Sequence, residues 1–380
     1  MPATDWHKIR FLESSENLKP LVKMRFGREP STSIARDIAA CLVQGRLFYE
    51  AAVTSPLEIR PLQMFYGMVG FGKALVLARY CRSASTLPHA HGLKDQSRDN
   101  CRIAELRLRI DNGGSFQQFN DVVAELNRFC YLDDSSKYRT VSLPSASSKS
   151  LIGLELSLRE LLSRVPKLES TYRMTFGEEA NTTYLGVSTV YREEGGFSVD
   201  VADAELFRDR ESLRAIVVRW RERFPFLRNW RFVSGYQSYG RSNLQFRNVS
   251  PPDTDEFSET SLLVDEDNDF HAAESPDPRV YVAVEKAFSP TSDDGLYAVS
   301  PLSGQYVSEF SLHYMGLFLL SSLVRYRPQT WIHAISRSVV ADMPADDQSL
   351  SLIERFLDIN SSEIPEMVVS VLNPKEDRYA

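Results

Sequence analysis

Histidine is scarce in this chain, with six residues among 380. Cysteine is scarcer: Cys41, Cys81, Cys101 and Cys130 form no C-x-x-C pair. That spacing argues against a zinc ribbon or a dithiol redox motif. Long apolar runs are also missing. The two most apolar stretches are residues 62–77 and 312–324. Lys73 interrupts the first, and the second is too short to span a bilayer. Both read as core helices rather than membrane spans. The opening "MPATDWHKIR" lacks the charged-then-apolar pattern of a secretory leader. A cytoplasmic protein with reduced thiols is the expectation. No G-x-S-x-G, H-E-x-x-H or P-loop pattern occurs. A chain without cofactor or metal site is therefore expected.

What is present is ordinary in bulk: 43% hydrophobic and 25% charged residues, as in a soluble globular protein. The net charge of −7 is unevenly spread. Residues 251–278 hold ten acids and no Lys or Arg, more than the whole negative excess. The remaining body is slightly basic, so net charge says little about the folded surface. The acidic stretch reads as a solvated loop.

"STSIARDIAACLVQGRLFYEAAVTSP" is an amphipathic helix pattern, with Ile34, Ile38, Cys41, Gly45, Phe48 and Ala52 at helical spacing. Ser31 or Ser33 can cap its start, and Pro56 lies just beyond its end. A second helix over 61–80 is apolar nearly all round and should be central, with Pro61 in its first turn. Its Gly67, Gly70 and Gly72 mimic a phosphate loop, but they sit inside a helical pattern and not at a strand-to-helix turn. Close approach of another helix explains them better.

"CRIAELRLRI" alternates as a strand, with Ala104, Leu106, Leu108 and Ile110 on one face, and "DNGG" turns after it. Helices are read over 115–129 and 151–165. Strands follow at 170–176, 182–191 and 196–202, the last two joined by the hairpin "REEGG". A helix over 210–224 precedes strands at 230–236, 242–249, 279–288 and 295–302. Helices return at 308–326, 328–340 and 350–359. The fold class expected is α+β. Helical N- and C-terminal segments (1–165 and 301–380) pack together around a mostly antiparallel β-rich middle (166–300).

"RYCRSASTLPHAHGLKD" (79–95) carries two histidines one residue apart. Arg82 precedes His89 by seven positions. On neighbouring turns of one helix, such a pair makes a metal-independent ribonuclease site: His moves a proton at the ribose 2′-hydroxyl, and Arg steadies phosphate charge. Pro88 and the "SAST" stretch argue against a shared helical face. His91 then reads as a tie between this loop and the helical core. Further on, Arg214 and Arg221 flank one side of an apolar stripe, and Arg219 and Arg223 flank the other. With the nearby aromatics Trp230 and Phe232 they could bind phosphates and stack bases. The plainer reading is a core-facing stripe whose edges the Arg stems cover. His313 and His333 lie on apolar helices and read as satisfied core histidines.

Two blocks resemble the YaaC-like bacterial protein family. One is "ARDIAACLVQGRLFYEAAVTSPLEIRPLQMFYGMVGFGKALVLARY" with "HGLKD". The other is "LSSLVRYRPQTW" with "LIERFL" and "IPEMVVSVLN". The resemblance implies a bacterial cytoplasmic protein and assigns no catalytic residue. The first block is also similar to HEPN-type helical domains, through Phe65, Tyr66, Met68, Lys73, Ala74 and Leu75, then His91 and Gly92. That similarity implies either an RNA-cutting toxin or defence protein, or an interaction-only domain.

The leading expectation is a cofactor-free binding or interaction protein with a protein partner, off the membrane. The alternatives are a ribonuclease centred on Arg82, His89 and His91, and an RNA or DNA binder using Arg214, Arg219, Arg221 and Arg223.

Overall fold

A computed structural model describes residues 6–98, 101–124, 128–132, 138–142, 147–189, 197–207, 212–229, 231–238, 240–247, 296–335 and 348–373. Helices α1 (His7–Leu12), α2 (Ser15–Phe26), α3 (Thr32–Thr54) and α4 (Arg60–Tyr80) come first. Strands β1 (Leu93–Asp95) and β2 (Arg107–Ile110), helix α5 (Ser115–Val123) and the pair β3 (Arg128–Leu132) and β4 (Tyr138–Ser142) follow. Next are α6 (Ser148–Leu151), β5 (Glu155–Ser157), α7 (Leu158–Leu162) and α8 (Glu169–Phe176). The middle continues with β6 (Thr182–Thr189), β7 (Phe197–Ala202), α9 (Leu213–Arg223), β8 (Arg231–Ser238), β9 (Arg241–Arg247) and β10 (Leu296–Val299). The chain closes with α10 (Glu309–Tyr326), α11 (Pro328–Ile335) and α12 (Leu350–Leu372). Helices thus stand at both ends and antiparallel sheets between them, the expected α+β class. Every described strand pair is antiparallel: β1-β2-β5 form one sheet, β10-β6-β7-β9-β8 another, and β3-β4 a third.

Helix α3 starts where Ser31 accepts a hydrogen bond from the Ile34 N–H (3.3 Å), which satisfies one of the first-turn donors. Its buried seam is Ala35, Ile38, Leu42, Gly45, Tyr49 and Ala52, with Ala39 beside it. That series alternates steps of three and four, the spacing of two helices packed side by side. Ile34, Cys41 and Phe48, expected on the seam, sit at its half-buried edge. The seam faces α4, of whose 21 residues fourteen are buried.

Small residues let the two helices touch. A Cβ on Gly70 would lie 2.9 Å from the Gly45 backbone nitrogen and 3.1 Å from the Cys41 carbonyl. A Cβ on Gly67 would meet the Tyr49 ring at 2.5 Å, and one on Gly72 the Phe119 ring at 3.2 Å. The glycines of α4 therefore serve helix approach.

The C-terminal helices cover the rest of α4. All residues from Glu309 to Leu323 in α10 are buried. Phe65 of α4 meets Tyr314 and Phe318 of α10 edge-on, with centroids 5.7 and 5.9 Å apart, a favoured aromatic geometry. Several buried polar groups on α10 find partners on other elements. Ser311 donates to Asn120 Oδ1 (2.8 Å) in α5, and the Tyr314 hydroxyl lies 3.2 Å from Ser115 Oγ. His313 Nδ1 sits 3.1 Å from the Asn360 amide of α12, whose Oδ1 accepts from the Tyr49 hydroxyl at 2.6 Å. One chain of hydrogen bonds therefore crosses α3, α12 and α10.

Several expectations need correction. Residues 170–176 are helix α8, not a strand: Tyr172 and Phe176, one helical turn apart, pair at 4.9 Å, and Gly177 closes the helix at φ +67°. Residues 151–165 are not one helix. Strand β5 runs into α7 through a capping box in which Ser157 and Glu160 satisfy each other's backbone N–H. Arg128 and Phe129, expected at a helix end, belong to β3. The expected alternation holds from Leu106 through Leu108 to Ile110, all buried, with Arg107 and Arg109 exposed between them. Ala104 lies in a 3₁₀ turn where Ile103 is buried instead. The strand expected at 279–288 and the acidic stretch 251–278 lie outside the described residues.

Gly70→Val is expected to lower the unfolding free energy by about 1–3 kcal/mol, because overpacking strains a filled interface. Urea titration of the full chain checks this.

Candidate functional site

Helix α4 stops because Cys81 takes a left-handed conformation (φ 46°). Arg82 therefore leaves the helix, and residues Ala84–Thr86 form a 3₁₀ turn. Arg82 and His89 share no helical face. The Arg82 guanidinium lies over the Tyr80 ring (5.0 Å) and donates to the Gln118 side chain of α5. His89 is exposed.

His91 is half-buried, its ring 5.2 Å from Phe65 and 6.2 Å from Phe318. Burial, then the positive charges of Arg325 and Lys73, pull its pKa below the usual histidine value, so it is mainly neutral at pH 7. The Ala90 and His91 carbonyls accept from the Ser115 and Phe116 N–H groups (2.9 Å each). They thereby satisfy donors that the α5 N-terminus leaves free. Gly92 takes φ +75°, and a Cβ there would fall 1.9 Å from Gln117 Oε1. The Gln117 amide donates to the Gly92 and Asp111 carbonyls at 2.9 and 2.6 Å. The "HGLK" loop is thus clamped to α5 by its backbone and to α4 and α10 by the His91 ring.

Four residues further, Asp95 Oδ2 accepts from Ser322 Oγ and Arg327 Nη1, each at 2.8 Å. Burial alone would raise the Asp95 pKa. Hydrogen bonds from Ser97 and Ser322 and the charge of Arg327 outweigh it and hold the carboxyl below its ordinary value. "HGLKD" and "LSSLVRYRPQTW", far apart in sequence, therefore meet through Asp95 and His91.

A concavity lies elsewhere. A cavity of about 800 Å³ opens where β6 and β9 begin and β7 ends, walled by α8 and α9. Its floor includes Asp203, which is buried and fully engaged. The carboxylate accepts from Trp220 Nε1 (2.7 Å), Arg219 Nη2 (3.0 Å) and the Glu205 N–H (2.8 Å). Arg223 donates to the Ala180 and Thr182 carbonyls and lies 3.9 Å from Glu179. Burial lowers its pKa to about 10, and it stays charged at pH 7. Arg173 pairs with Glu179 at 3.1 Å. Glu169 is raised above its ordinary value, first by burial and further by Glu309. Arg241 on the rim is exposed and makes no ion pair among the described residues.

The four sequence-flagged arginines divide as their spacing suggested. Arg223 lines the cavity, and Arg219 braces Asp203 of its floor. Arg221 donates to the Leu227 carbonyl (3.2 Å), and Arg214 is exposed. Ile216, Val217 and Trp220 between them are buried. Trp230 lies outside the described residues. His313 is a core residue as expected, stacked on Phe356 at 5.2 Å, but only half satisfied: Nδ1 pairs with Asn360, while Nε2 lies 3.4 Å from Glu309 and makes no hydrogen bond among the described residues. His333 is exposed on α11, contrary to expectation, because Trp331 and Ala334 take the buried positions of that short helix.

Among the described residues no three His, Cys, Asp or Glu side chains are grouped to hold a metal ion. None of the described helices is long and apolar enough to cross a membrane. The family model described as YaaC-like Protein matches residues 10–372. The chain belongs to the YaaC-like family. No curated protein and no solved structure matches it. The match takes in both the helical ends and the sheet of this YaaC-like chain, so the cavity and the loop clamp lie inside the family's shared region. Sequence reasoning missed Glu169, Phe207 and Arg241 at the cavity. They come from separate segments with no common spacing, and only Arg219 and Arg223 carried a signal.

Asp95→Asn is expected to destabilise the YaaC-like chain by about 1.5–3 kcal/mol at pH 7, the range for hydrogen bonds to a charged group. A carboxyl with a depressed folded pKa contributes fully above its unfolded pKa of about 3.9 and loses that contribution as pH falls through the folded value. The gap between wild type and Asp95→Asn should therefore narrow below about pH 4, read by denaturant unfolding at pH 7 and pH 3.

Proposed function

We propose that this YaaC-like protein is a cofactor-free binding protein whose ligand is a small polar molecule held in the cavity between α8, α9 and the five-stranded sheet. The observation that carries the reading is the cavity itself. Its volume of about 800 Å³ lies in the usual range for small-molecule sites. Its floor is pre-organised by the Asp203 hydrogen bonds, so little ordering remains to be done on binding. Charged groups of both signs converge there, as they do where a polar ligand is oriented. Arg219 and Arg223 take part as supports of that floor and wall.

A catalytic role for the 79–95 segment gains less. Arg82, His89 and His91 have separate surroundings, and the His91 ring is packed against phenylalanines.

The test uses the full chain purified from its own cells. Native mass spectrometry is expected to show a small molecule bound one to one, released on denaturation and absent from Ala202→Trp, which fills the cavity from its exposed lip. Wild-type protein that carries no such species, and whose unfolding midpoint no small molecule raises, would contradict the reading.

A further inference from the structure

Phe207 is an outlier in this fold. It lines the cavity with φ +71°, in the left-handed region that a bulky L-residue rarely enters. It is 37% exposed and meets no other aromatic ring among the described residues. Glycine would adopt that backbone without strain, and phenylalanine does so against its local preference. Strain of this kind gathers at sites that hold ligands. Tyr184, half exposed, lines the same cavity and is braced edge-on by Tyr297 at 5.7 Å. Two ring surfaces are therefore offered to whatever enters.

The charge of the cavity has a sign. Asp203 is neutralised by Arg219. Glu179 lies between Arg173 and Arg223. Glu169 is driven toward its neutral form by burial and by Glu309. Arg241 remains as a rim cation without a partner among the described residues. Asp203 and Glu179 are thus answered by arginines of the protein, and Arg241 adds a positive charge at the rim.

We infer that the ligand of this cavity is a planar anion, an aromatic or heteroaromatic ring bearing a carboxylate or phosphate, with its ring against Phe207 and Tyr184 and its charge on Arg241. This rests on the cavity being a ligand site, as proposed above. Ring stacking on an aromatic face and a charge-assisted hydrogen bond to guanidinium are both stronger at a partly desolvated wall than in open water.

Calorimetry on the full chain with four probes tests it. 2-Aminobenzoate and adenosine 5′-monophosphate each join a planar ring to an anionic group, one a carboxylate and one a phosphate. Benzamide is planar and neutral, and acetate is an anion without a ring. At least one planar anion is expected to bind one to one, roughly tenfold or more tighter than benzamide or acetate. Which one binds distinguishes carboxylate from phosphate. Arg241→Ala should weaken that binding roughly tenfold, the effect of losing one charged hydrogen bond. Phe207→Gly should weaken it too while leaving the unfolding midpoint unchanged or higher, an outcome that a merely structural Phe207 would reverse. Benzamide or acetate binding as tightly as the planar anions overturns the inference, as does affinity unmoved by Arg241→Ala. If none of the probes binds, the planar-anion assignment fails, and the co-purified species then decides separately whether the cavity binds ligand at all. A co-purified neutral molecule lost in Ala202→Trp but kept in Arg241→Ala would retain the binding function and reject this ligand class.

Discussion

Helix α4 has almost no face to give to water, and the rest of the fold follows from that constraint. An amphipathic helix needs cover on one side, whereas a helix buried nearly all round must be enclosed. The preceding helix α3 covers one side through the Gly45–Gly70 approach. The remaining sides are taken by α5 and by α10 and α12, which come from the far end of the chain. The helical ends therefore pack together because one needs the other. Each fully buried Phe, Met or Leu of α4 contributes roughly 1.5–3 kcal/mol by leaving water.

Apolar burial alone does not fix the register of two such helices, and the polar groups on α10 supply that. Leaving a buried hydroxyl or imidazole unpaired costs more than a made hydrogen bond contributes net, so wrong registers are penalised. Ser311, His313, Tyr314 and Ser322 reach three other elements: α5 (from Ser311 and Tyr314), α12, and Asp95 of β1. The same helix side carries Phe318 against His91. In physical terms, the two blocks that resemble the family are the two halves of this interlock. The β-sheet that walls the cavity is then inserted between them in sequence, with Arg164 donating to the Ser300 and Pro301 carbonyls across the junction (2.9 and 3.1 Å).

What could be read from the sequence was what periodicity and capping encode. The limits of α3, α4 and α10, the β6–β7 pairing and the stripe on α9 all followed from spacing. Residues 170–176 misled because Thr, Tyr and Phe favour strands on average, while the Tyr172–Phe176 step and Gly177 decide for a helix. The S-x-x-E at Ser157–Glu160 was a visible start signal inside what looked like one long helix. The cavity was illegible for a different reason. Phe207 is unusual only in its φ angle, and Arg241 only in making no ion pair among the described residues. Neither property exists before the chain folds. The loop histidines were half legible: Pro88 placed them off the helix, but only the fold sets His91 against Phe65 and leaves His89 in water.

The central claim is that the N- and C-terminal helices form one cooperative unit rather than two that merely touch. Native-state hydrogen exchange across a denaturant series measures this most directly. If the account holds, the slowest amides of α3, α4, α10 and α12 open with a single free energy equal to that of global unfolding. Exchange of α10 and α12 at a distinctly lower free energy, with α3 and α4 still protected, would contradict it.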